Sequence, residues 1–71
     1  MNMKQYGLLA KNGGFGDIEV QVCQSGAGYY IGTLDPRTGE PISRESSNYY
    51  PTYEVAKIAL DKGTWIQRQN P

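Results

Sequence analysis

The chain has 71 residues, seven basic and seven acidic side chains, no histidine and one cysteine. At this length one hydrophobic core fits and two do not, so residues 1–71 are read as a single small domain. Zero histidine removes the commonest general base and metal ligand, and zero net charge lacks the basic excess that binding to a phosphate backbone usually leaves.

Lys4 to Ala10 alternates Tyr6, Leu8 and Ala10 with other residues, which predicts a first strand. Asn12-Gly13-Gly14-Phe15-Gly16 interrupts it with residues that accept positive φ, as a flexible hairpin connection does. Asp17 to Gln24 is the cleanest strand, with Ile18, Val20 and Val22 on one face and Asp17, Glu19 and Gln21 on the other. Ser25-Gly26-Ala27-Gly28 turns the chain into a third strand, Tyr29 to Leu34. Asp35-Pro36-Arg37-Thr38-Gly39 is the strongest hairpin signal: Asp35 can accept from following amides, Pro36 presets φ, and Gly39 can take the left-handed position. The return from Glu40 to Glu45 contains Pro41 and a single strong apolar residue, Ile42, so it reads as an edge strand.

Helix is expected only from Thr52 to Lys62. Pro51 disfavours α geometry at Tyr50, Thr52 can cap the first turn, Glu54 suits the helix dipole and Gly63 can end the helix. Val55, Ala56, Ala59 and Leu60 form the expected buried stripe, with Glu54, Lys57 and Asp61 toward solvent. Thr64 to Gln67 alternates again, either as a short last strand or as a tail that folds Trp65 over the rim of the core. The expected fold class is α+β: an antiparallel meander of four strands, or five with the one at Trp65, packed on one C-terminal helix.

Catalytic and cofactor chemistry finds little footing, and no enzyme activity, metal or cofactor is expected. The glycine clusters at Gly13 to Gly16 and Gly26 to Gly28 lie between predicted strands, whereas a phosphate loop runs from a strand into a helix with a defined spacing. Cys23 has no histidine to activate it, and is expected to be a passive small side chain. The carboxylates are spread singly, without the spacing of a calcium loop. A lone cysteine and a start, Met1 to Tyr6, without the apolar run of a signal peptide point to the cytoplasm. No stretch approaches a membrane span.

Ser43-Arg44-Glu45-Ser46 is the densest polar cluster; it is read as a solvated edge or as a contact surface in which Arg44 pairs with a carboxylate or phosphate. Tyrosine is the residue in excess. Six of the eight aromatic residues are Tyr, and four of them form the pairs Tyr29-Tyr30 and Tyr49-Tyr50. Strand neighbours face opposite ways, so one of Tyr29 and Tyr30 should meet the helix-covered core and the other the uncovered face. Tyr is enriched at interfaces because it combines apolar area with a hydrogen bond at low entropic cost. The same rings would alternatively complete a core that has only twelve Ile, Leu and Val residues. The partner-binding candidates are Tyr29, Tyr30, Arg44, Tyr49 and Tyr50. A protein partner is expected, with a homodimer as one form and a nucleic-acid-binding sheet, stacking bases on exposed Tyr, as the alternative.

The segments Gly28-Tyr29-Tyr30-Ile31-Gly32-Thr33-Leu34-Asp35, Gly39 to Ser46, Thr52-Tyr53-Glu54-Val55-Ala56 and Gly63-Thr64-Trp65 resemble, in style, the very short sheet-plus-helix proteins of bacteria, phages and plasmids. Inhibitors of host defence, anti-CRISPR proteins included, are found among these. The resemblance covers about 45 residues. It implies a class of role, docking onto a bacterial defence complex, and no site residue.

Overall fold

The computed structural model describes residues 4–70; Met1 to Met3, on which part of the reading of the chain start rests, lie outside them. The elements are α1 (Leu8–Asn12), β1 (Gln21–Ser25), β2 (Gly28–Leu34), β3 (Pro41–Arg44) and α2 (Tyr53–Lys62). The class is α+β: one antiparallel sheet in the order β1-β2-β3, with α2 packed on β1 and β2 and α1 beside β3. β3 is an edge strand, as Pro41 suggested.

Three strands form instead of four or five. The predicted first strand is reduced to one bridge, Tyr6 with Glu19, after which the chain turns into the five-residue α1. The reason lies outside the segment: the backbone amides of Leu9 and Ala10 both donate to the carboxylate of Glu45, which supplies the partners that a first helical turn lacks. Tyr6 and Leu8 are exposed and only Ala10 is buried, so the alternation of these three residues does not mark one buried face. Gly13 to Gly16 accordingly follows a helix and does not join two strands. The alternating tail is not a strand either, since it makes a single bridge, Ser46 with Gln67. Trp65 is half-buried and its Nε1 donates to Gln5 Oε1 at 2.8 Å, which ties the two ends of the described chain together.

The turns and caps follow local chemistry. Asp35 Oδ1 accepts from the Arg37 amide at 2.8 Å, and Gly39 has φ 77°, where a side chain would be strained. Thr52 caps α2 by accepting from the Val55 amide, and Gly63 ends it in the left-handed region while the Thr64 amide reaches back to the Ala59 carbonyl.

The core is small: Ala10, Val20, Cys23, Tyr30, Ile31 and Ala56 are its buried apolar residues. α2 meets the sheet through Ala56, with Ala59 and Leu60 half-buried. Val55 does not join this stripe and is 44 % exposed, because it stands 100° around the helix from Ala56 and one small contact residue sets the helix close to the sheet without wrapping it. Ile58, nearly opposite Ala56, is exposed as well.

Past Arg44 the edge strand does not stop cleanly. The amides of Glu45 and Ser46 both donate to the Ile31 carbonyl, the signature of a bulge, and the Ile31 amide donates to Ser46 Oγ at 3.0 Å in place of a backbone oxygen. Ser46 Oγ in turn donates to the Asn48 carbonyl. Beyond the bulge the chain returns to β2, where Tyr29 and Tyr50 exchange both backbone hydrogen bonds.

Candidate functional site

The bulge turns Glu45 and Ser46 inward, and both are wholly buried. This overturns the reading of Ser43-Arg44-Glu45-Ser46 as a solvated edge: only Arg44 and Ser43 keep partial exposure. The Glu45 carboxylate accepts from the amides of Leu9 (2.9 Å) and Ala10 (3.0 Å), from Ser43 Oγ (2.5 Å) and from Gln67 Nε2 (2.9 Å). Because Ser43 donates to Glu45, Thr33 Oγ1 must be the donor in its 2.6 Å contact with Ser43 Oγ. Burial alone would raise the Glu45 carboxyl, but the donors from Ser43, Leu9, Gln67 and Ala10 outweigh it and hold it below the ordinary carboxylate value. Among the described residues no cation pairs with this anion, which joins α1, β3 and the tail through hydrogen bonds alone. Sequence reading missed this, since no spacing links Glu45 to residues 35 and 36 positions earlier.

The five partner-binding candidates divide into two groups. Tyr29 and Tyr50 are half-buried and joined through their backbones, and the Tyr29 ring meets Tyr53 of α2 edge to face at 6.3 Å. Tyr30 lies on the opposite face of β2, as strand alternation requires. It is paired with Cys23, packed over Gly32 and met edge to face by Tyr49 at 6.0 Å, which leaves it 6 % exposed. The uncovered face therefore buries its own tyrosine. Gly32 permits this, because a Cβ there would run into the Ser43 carbonyl and the Tyr30 ring.

Tyr49, 43 % exposed, is the outer layer of that stack, and the Arg44 guanidinium lies 4.4 Å from its ring centroid while donating to the Ser47 carbonyl. Arg44, Tyr49 and Tyr30 form one continuous assembly whose outer surface is a fixed cation over an aromatic ring. Among the described residues Arg44 has no acidic partner, whereas Lys11, Arg37 and Lys57 are paired with Asp17, Asp35 and Asp61.

Cys23 is buried beneath this assembly. Burial pushes its thiol up, with contacts to Tyr30 and the Gly32 backbone only partly opposing, so it is not the thiolate that a nucleophile requires. Burial likewise raises the Tyr30 hydroxyl, reinforced by Cys23 and Tyr49 and opposed by Arg44. Among the described residues no three Cys, Asp or Glu side chains converge as metal ligands would, and no helix is long and apolar enough to cross a membrane. No protein-family model matches the chain, and no curated protein or solved structure is significantly similar to it.

Proposed function

We propose that the chain is a non-enzymatic protein-binding module whose contact surface centres on Tyr49 and Arg44, with Tyr30 as its rigid support. The observation that carries this reading is the Arg44 guanidinium stacked on the half-exposed Tyr49 ring with no acidic partner among the described residues. Tyr and Arg are the residue types most often found at binding hot spots, and a side chain already held in place loses less entropy when a partner arrives. In this reading Tyr29 and Tyr50 fix the scaffold and lie outside the contact surface. The more specific role, a mobile-element inhibitor that docks onto a bacterial defence complex in the cytoplasm, rests on the resemblance of the C-terminal half alone.

The test is affinity capture from bacterial lysate with quantitative mass spectrometry, using wild type, Tyr49→Ala and Arg44→Ala as baits. Loss of about 2 kcal/mol per hot-spot residue would reduce affinity roughly thirtyfold. The expected result is a partner retained by wild type and depleted by both variants. Equal capture by all three folded baits would overturn the reading.

A further inference from the structure

We propose that the groove between α1 and β3 receives an acidic segment of a protein partner, with one apolar side chain against Leu9, Phe15 and Ile42 and a neighbouring carboxylate at Arg44 and Arg68. The proposal rests on the protein-binding reading above and adds the chemistry of what is bound.

The groove has a volume of about 420 Å³, enough for a large side chain and its neighbours, and it lies alongside the edge strand. Phe15 on its wall is 58 % exposed and lines the groove together with Leu9 and Ile42, so its ring is available to a partner's apolar side chain. Its charge is one-sided. Among the described residues Arg44 and Arg68 line it and no carboxylate does, in a chain whose total charge is zero. Among the described residues neither arginine has an acid within salt-bridge distance. Glu45 lies behind the wall, buried and saturated by its own donors, so it does not offer these guanidiniums a partner.

A second cavity, about 460 Å³ between α2 and β1, makes the contrast clear. It presents Glu19, Lys57 and Asp61 together, and Lys57 and Asp61 already bond each other at 2.9 Å, so it selects neither sign of charge. In the α1–β3 groove an apolar floor beside two planar donors suits a carboxylate next to a hydrophobic anchor, the pairing by which arginine clusters read acidic motifs. A single-stranded nucleic acid fits less well, since Phe15 is the only aromatic residue lining the groove, whereas such strands are held by successive bases stacking on several rings.

The experiment is selection of a random octapeptide phage library on the full chain, followed by fluorescence anisotropy with the enriched peptides in labelled form and with labelled dT12. Enriched peptides should combine Asp or Glu with Leu, Ile, Phe or Trp. Phe15→Ser and Arg68→Glu, each confirmed folded by circular dichroism, should weaken them at least about tenfold, and Arg68→Glu should shift a repeated selection toward Lys and Arg. No enrichment, enrichment without acidic residues, affinities unchanged in both variants, or displacement of the peptides by dT12 would each overturn the proposal. Its failure is distinguishable from that of the wider reading: a lysate partner lost by Tyr49→Ala but held by Arg68→Glu and Phe15→Ser would sink the groove and leave the Tyr49 surface standing.

Discussion

Replacing Glu45 should damage this fold more than replacing any other charged residue. In Glu45→Ala the amides of Leu9 and Ala10 lose their acceptor, as do Ser43 and Gln67, around a carboxylate that is itself wholly buried. Each orphaned buried donor costs about 1–3 kcal/mol, so the two amides and the cavity together should remove roughly 3–6 kcal/mol. A domain of this size has about 4–10 kcal/mol in all, so Glu45→Ala should forfeit a large share of it and unfold at a clearly lower urea concentration than wild type. Glu45→Gln is the finer probe. It keeps one oxygen as acceptor and replaces the other with an NH2 donor, and its best orientation places that nitrogen by Ser43, which can reverse its hydroxyl, and by the Ala10 amide, which cannot. The expected loss is about 2–3 kcal/mol in urea unfolding at pH 7.

The pH dependence of that loss checks its cause. The folded Glu45 carboxyl titrates below its unfolded value, so its contribution is fully present above an unfolded pKa of about 4.3 and is lost as pH falls through the folded value. The gap between wild type and Glu45→Gln should therefore shrink between pH 5 and pH 2. A Glu45→Gln variant within about 0.5 kcal/mol of wild type at pH 7, or a gap independent of pH, would refute the account of Glu45 as a charged anchor.

Further outcomes follow from the same geometry. Ser46→Ala should cost about 1–3 kcal/mol in urea unfolding with an unchanged slope, because the Ile31 amide loses the hydroxyl that stands in for a backbone acceptor. Gly32→Ala should be poorly folded by near-ultraviolet circular dichroism, since the new methyl meets the Ser43 carbonyl, which is backbone and cannot move aside cheaply. Ile58→Ser, at a position 54 % exposed, should shift stability by no more than about 0.5 kcal/mol. Cys23 should react with iodoacetamide at least about tenfold more slowly in the native chain than in urea, because burial both covers the thiol and raises its pKa.

The parts of the fold that were legible in the sequence are those decided within a few residues. Thr52, Glu54 and Gly63 bound α2, Asp35 and Gly39 make the hairpin turn, and Pro41 marks the edge strand. The parts that were not legible depend on distant partners. Leu8 to Asn12 is a helix because Glu45 caps it, and Val55 is exposed because only Ala56 is drawn fully into contact. The site was legible to the same degree. Tyr29 and Tyr30 had to face opposite ways, and they do, but strand alternation says nothing of what covers Tyr30. Gly32 and Tyr49 cover it, and the glycine that reads as a gap in the strand is where the ring lies. Phe15 and Arg68 escaped notice as site residues because 53 positions separate them and only the folded chain brings them to one groove.

The contact surface at Tyr49 can be probed by photo-crosslinking in bacterial cells with benzoylphenylalanine placed at position 49, with the exposed position 24 of β1 as control. A discrete crosslinked protein species is expected from position 49, absent from position 24 and lost when Arg44→Ala is added. Crosslinks of equal yield and pattern from both positions, or none from position 49 in a folded chain, would contradict a contact surface at Tyr49.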